Sequence, residues 1–204
     1  MNKMRWNIFC TYVVRVTLLA GLATALSGCA LALGGAVVGS LVSTDRRTPG
    51  IQLEDQTIEI RSVNLIKEAI RDRGQIGATS YNRILLLTGT VPKEADRQAV
   101  ENNLKKLDNV RQVVNEIAIG PANTLAGLSS DAVVTSKVKA TFIETKDLMA
   151  PTIKVVTERG IVYLMGRVTE RESNRAASVA STVGGVRKVV KAFDVITEQD
   201  LSRL

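Results

Sequence analysis

The chain has 204 residues, enough for one ordinary domain or two small ones, and with only 3% aromatic residues its core must be built from Val, Ile, Leu and Ala. It contains no histidine, which removes the commonest general base and metal ligand, and its two cysteines, Cys10 and Cys29, both stand near the N-terminus, which excludes zinc sites of the Cys/His type. The formal charge is +7, but Lys3, Arg5 and Arg15 fall within the first 28 residues, and the remaining 24 basic against 20 acidic residues make an excess too small to imply nucleic acid.

Lys3 and Arg5 form a positive start. From Val16 to Gly28 there is no charge, and Leu18, Leu19, Leu22 and Leu26 make a short apolar run that closes on Leu26-Ser27-Gly28-Cys29. Charge, apolar helix and small residues in this order are the pattern of a secretory signal. The closing four residues resemble the lipobox of bacterial lipoproteins. The resemblance implies that the Cys29 thiol receives diacylglycerol, that a signal peptidase cuts before it, and that the new amine is acylated, with chains such as palmitate. Two or three acyl chains hold a membrane far more firmly than one. An uncleaved membrane span is the rival reading, since the uncharged run continues to Val42. Gly34, Gly35 and Gly39 interrupt its second half, which favours the lipoprotein, and they are not a phosphate loop, because no strand precedes them and no lysine follows. Ala30 after the cysteine, in place of Asp, implies the outer membrane in that family. Residues 1–28 are therefore read as signal peptide and 29–54 as lipidated cysteine and flexible tether.

Past Thr44 the chain repeats itself. Leu87-Thr88-Gly89-Thr90-Val91 matches Leu164-Met165-Gly166-Arg167-Val168, and Val110-Arg111-Gln112-Val113-Val114 matches Val186-Arg187-Lys188-Val189-Val190. The offsets differ by one residue, and the slip belongs in the turn before the second helix. Two ordered matches at nearly one spacing indicate duplication.

In the first copy (55–120), Val63, Ile66 and Ile70 fall at helical spacing and Gly74 stops the helix. Ile76 to Tyr81 and Ile84 to Thr90 predict a hairpin around Asn82-Arg83. A second helix starts near Pro92 and turns Ala99, Val100, Leu104 and Leu107 inward, and Val110 to Ile119 closes the unit as a strand. Residues 121–127 read as a linker.

In the second copy (128–197), Asp131 precedes a helix with Val134, Val138 and Phe142 on one face. Strands follow at Ile153 to Thr157 and Ile161 to Gly166, around Glu158-Arg159-Gly160. Thr169 with Glu172 resembles a capping box, and the helix it opens has Ala176, Ala180 and Val183 inward. Val186 to Ile196 is the last strand, and 198–204 is a tail. The expected fold class is α/β (α+β): two tandem α-β-β-α-β modules in contact, each a three-stranded mixed sheet packed on two helices.

These repeats resemble BON domains. The fingerprints are Thr135-Ser136-Lys137-Val138-Lys139 in the first helix, Leu164-Met165-Gly166-Arg167-Val168 in the hairpin and Gly185-Val186-Arg187-Lys188-Val189 entering the last strand. A lipobox followed by two such modules is similar to the dual BON-domain outer-membrane lipoproteins of Gram-negative bacteria. The resemblance implies a non-enzymatic protein, lipid-anchored in the outer membrane and facing the periplasm. It implies binding of anionic phospholipids (phosphatidylglycerol, cardiolipin) through the first helix of the second module, in support of envelope integrity. No cofactor or metal is expected, nor nucleic acid, because the Arg187, Lys188 and Lys191 cluster would be exported.

On that helix Val134, Val138, Thr141 and Phe142 are expected inward. Val133, Ser136, Lys137, Ala140 and Glu144 are expected outward, with Ile143 at the margin. The candidate lipid-contact residues are Val133, Ser136, Lys137, Lys139, Ala140 and Ile143. Methyls that enter the interface beside ammonium groups that meet phosphate suit an anionic bilayer. The position of Val133 is commonly Trp in the resembling lipoproteins, and Glu144 adds an unfavourable charge. Both imply weaker binding here, with help from Lys139 and Lys146. The alternative is a scaffold that docks an outer-membrane assembly protein or the cell wall. Glu170 with Glu172, or Asp45 with Asp55, are the carboxylate pairs that catalysis would need, but carboxylates in loops and first turns are usually solvated or capping. Gly89 and Gly166 predict a close backbone approach by the packed helix.

Overall fold

In a computed structural model of the protein, residues 45–203 are described. The signal region, Cys29 and the glycines at 34, 35 and 39 lie outside the described residues. The first helix, α1 (Pro49–Ile70), starts with Thr48 accepting a bond from the Ile51 amide and Pro49 in its first turn. Both are helix-start features. The segment 49–54, expected as tether, is thus helical. A Pro and a Gly in a polar stretch look like a break, but here they stand at the one end of a helix where Pro is favoured. The buried stripe is Asp55, Ile58, Ser62, Ile66 and Ile70. Val63, expected inward, is instead exposed, because it lies about 100° from Ser62 on the helix.

Strands β1 (Gln75–Tyr81) and β2 (Ile84–Val91) form the antiparallel hairpin. Asn82 and Arg83 both have positive φ, as a two-residue turn of this hand requires. Helix α2 (Glu94–Leu104) buries Val100 and Leu104, with Leu107 half-buried on the same core. The last strand is split into β3 (Gln112–Asn115) and β4 (Ala118–Ile119), both parallel to β2. Between them Ile117 drops into the core, and the Asn115 side chain accepts its amide.

The second module repeats this. Its elements are α3 (Leu125–Glu144), β5 (Ile153–Glu158), β6 (Ile161–Thr169), α4 (Glu170–Ser181), β7 (Lys188–Lys191) and β8 (Asp194–Ile196). A short helix, α5 (Glu198–Leu201), occupies the expected tail. Helix α3 starts six residues before Asp131, capped by the Thr124 hydroxyl, so Asp131 is a buried helix residue and not a cap. The expected capping box of Thr169 and Glu172 is present. The one-residue slip is visible as well. Thr169 both ends β6 and caps α4, whereas Pro92 intervenes between Val91 and the cap position Lys93.

Alternation in the central strands decides the layering. Leu85 and Leu87 join the helices of the first module in one core, and Val162 and Leu164 do the same in the second. Their neighbours Ile84, Leu86, Tyr163 and Met165 point the other way and meet in a third core, shared by both sheets with Tyr81 and Ala192. The order is therefore helices, sheet, sheet, helices. The two glycines expected to face a helix instead face the neighbouring strand. A Cβ at Gly89 (φ +111°) would collide with the Gln75 carbonyl, and one at Gly166 would sit 2.6 Å from that of Thr152.

Candidate functional site

Helix α3 is held against its sheet by Val134, Val138 and Phe142, all buried. Asp131, one turn earlier, fixes the helix to the β5–β6 turn: its carboxylate accepts the Arg159 amide at 2.7 Å and the Gly160 amide at 2.8 Å. Asp55 does the same job on α1, accepting the Asn82 and Arg83 amides at 2.8 Å each and the Ser80 hydroxyl at 2.7 Å. The sequence reading missed this pair. The signal was there, since Asp55 and Asp131 are 76 residues apart and the turns they hold are 77 apart.

With the inward side fixed, the outward side follows. Val133, Ser136, Lys137, Lys139, Ala140 and Ile143 are all exposed. Ile143, expected at the margin, is 75% exposed, because the helix ends one residue later and nothing covers it. The extra turns at the start of α3 add Leu125, 84% exposed, and Leu128, 36% exposed. At about 100° per residue Leu125, Ala132, Ser136, Lys139 and Ile143 share one band, with Val133 and Ala140 on one margin. Among the described residues neither Lys137 nor Lys139 forms an ion pair. The face thus combines uncovered methyl groups with two uncommitted ammonium groups.

The carboxylate pairs are committed elsewhere. Glu172 receives a two-pronged bond from Arg46 at 2.7 and 2.8 Å, which holds its carboxyl below the usual range, aided by the Thr169 amide. Burial works to raise Asp45, but bonds from Arg47 outweigh it and its carboxyl is held low. Asp55 and Asp45 both bind Arg47, so they are joined through a cation rather than poised as acid and base. Glu158 is pushed up, first by burial and then by the Asp131 charge. In the basic cluster, Arg187 reaches the Arg159 carbonyl and Lys191 the Asn174 side chain. A groove of about 410 Å³ between the starts of α4 and α5 is bordered by Glu170, Val195, Glu198 and Asp200. Among the described residues no group of three or more metal-ligating side chains is present, and no helix is long and apolar enough to cross a membrane.

The BON domain profile matches residues 56–121 and 130–197. The chain is 35% identical over 182 residues to the outer membrane lipoprotein DolP of Haemophilus influenzae, covering 88% of this chain and 94% of that protein. It is 30% identical to a 21 kDa hemolysin of Actinobacillus pleuropneumoniae, with 74% and 79% covered. To osmotically-inducible protein Y of Escherichia coli it is 27% identical, with 74% and 77% covered.

Proposed function

The chain belongs to the BON-domain family and is an outer-membrane lipoprotein, and from that premise we propose that its second module binds anionic phospholipid through the outer face of α3. The observation that carries the reading is the exposure of Val133, Ile143, Leu125 and Leu128 along one helix, beside Lys137 and Lys139. In water such a face exposes apolar surface. At the headgroup boundary the methyls enter the acyl region and each ammonium gains about 1 kcal/mol from the negative surface. Lipid on Cys29 supplies attachment, and the α3 face selects where on the membrane the protein resides, in support of envelope integrity. Glu144 is exposed at the end of this face and opposes it, and Val133 gives less interfacial hold than an aromatic ring.

Flotation of the chain from residue 30 onward with vesicles tests the reading. Binding is expected with phosphatidylglycerol, weaker binding without it, and loss on Lys137→Glu. Equal failure to bind both kinds of vesicle would sink it. A second reading, docking of an outer-membrane assembly protein or the cell wall, is favoured by the uncovered Leu53, Ile60 and Val63 on α1. Crosslinking through α1 that traps a protein independently of lipid would support it.

A further inference from the structure

The segment that joins Cys29 to the two modules enters them at Asp45-Arg46-Arg47, and all three side chains of this stretch are bonded. Arg46 turns into the second module. Its guanidinium grips both oxygens of Glu172, donates to the Arg167 carbonyl at 2.9 Å and approaches the Met149 sulfur at 3.6 Å. Arg47, the next residue, turns into the first module. It bonds Asp55 at 2.8 Å and Asp45 at 2.7 Å, and its guanidinium lies 3.9 Å from the centre of the Tyr81 ring. Only 7% of the Arg46 side chain and 14% of that of Arg47 are exposed, which is unusual for two consecutive arginines.

Each partner already has a structural task. Glu172 closes the capping box of α4, and Asp55 holds the β1–β2 turn. Tyr81 belongs to the core shared by the two sheets. The arginines thus attach to fixed points of both modules: Arg46 through a two-pronged bond to Glu172 that fixes orientation as well as distance, and Arg47 through a single bond to Asp55 and its position over the Tyr81 ring.

We propose that Arg46 and Arg47 form a clasp that fastens the incoming segment across both modules. The lipid anchor then pulls on the two modules as one body, from a fixed point beside Met149, five residues past the end of α3. The two arms act together, since releasing either one frees the backbone that the other needs. The inference is independent of whether α3 binds lipid.

Trypsin provides the test, because it cuts after arginine only where the chain can leave its fold. The lipidated full chain, reconstituted in phosphatidylglycerol vesicles, is digested and the cut sites are identified by mass spectrometry. The native protein is expected to resist cleavage after Arg46 and Arg47 while it is cut after the exposed Arg203 and after the exposed Lys146 in the turn that follows α3, since trypsin also cuts after lysine. Arg46→Gln is expected to speed cleavage after Arg47 at least about tenfold, and Arg47→Gln to do the same after Arg46. Arg83 and Arg167, in the body, report on folding. If Arg46→Gln is cut there, Glu172→Gln decides, since a glutamine can still close the capping box while the ion pair is lost. Native cleavage after Arg46 or Arg47 as fast as after Lys146 would overturn the clasp. So would an unchanged rate in either arginine variant that stays folded.

Discussion

Helices α1 and α3 open the two modules and are held down in the same way. Each offers an aspartate, Asp55 or Asp131, to the amides of a two-residue turn, and each follows it with an apolar stripe against the sheet. At the offset of 76 their outer faces part company. Ile60, Arg61, Val63 and Lys67 on α1 stand where Ser136, Lys137, Lys139 and Ile143 stand on α3. The inside of each helix answers to a turn and a sheet, which keep the carboxylate and admit mostly apolar side chains, with Ser62 on α1 and Phe142 on α3 as the departures. The outside answers only to a partner. Divergence that on the outside changes charge and exposed apolar surface is what different partners for the two modules would produce.

Breaking what the helices share should give the largest effects. Asp55→Ala and Asp131→Ala each strand two turn amides, and Asp55→Ala also removes a buried partner of Arg47. Losses of about 3–5 kcal/mol are expected in chemical denaturation, with Asp55→Ala the worse of the two. Phe142→Ala should cost about 3–5 kcal/mol by opening a cavity in the second core, a loss that a denaturation midpoint would register.

Acidity sharpens the comparison next. Glu172 has a lowered pKa in the folded protein, so its contribution is present above the unfolded value of 4.5 and is lost as pH falls through the folded value. Glu158 has a raised pKa, so it contributes below 4.5 and loses that contribution as pH rises through the folded value. Glu172→Gln should therefore lower the melting temperature at pH 7, and Glu158→Gln should raise it. The same direction of change in both would contradict the assigned partners.

The outer faces should give the smallest effects on stability. Ile60→Ser and Val133→Ser are each expected to shift unfolding by less than about 0.5 kcal/mol. If α3 is the lipid face, only Val133→Ser should weaken vesicle binding, and Val133→Trp should strengthen it. An equal change in vesicle binding from both serine variants would erase the proposed difference between the modules.

Much of this was legible in the sequence. The duplication, the hairpins around Asn82-Arg83 and Glu158-Arg159-Gly160, the capping box and the inward set on α3 all rest on local patterns of spacing and turn chemistry, although Glu158 itself ends β5. The helix starts were missed where a cap was masked: Thr48-Pro49 sits in a polar stretch, and Thr124 is followed by residues with weak amphipathic order. Val63 was misplaced because an aspartate and a serine, Asp55 and Ser62, occupy the buried stripe, where an apolar count cannot see them. Ser62 is tolerated there because its hydroxyl bonds the Ile58 carbonyl at 2.7 Å. The sheet-to-sheet seam was hidden for another reason. The run Ile84-Leu85-Leu86-Leu87 is apolar on both faces, which fits several kinds of buried strand. The Arg46 contacts with Arg167 and Glu172 span more than 120 positions, and no local pattern announces them.

The seam also decides what light the protein absorbs. After residue 29 the chain contains no tryptophan, and its two tyrosines, Tyr81 and Tyr163, both lie in the core between the sheets. Near-ultraviolet circular dichroism and tyrosine emission from the body therefore report on one place, the contact of module with module. Burial pushes both phenols up to about 12, so the tyrosinate band should stay silent until strong alkali parts the two sheets. A pair of chromophores buried in one shared core makes the union of the modules visible without any label.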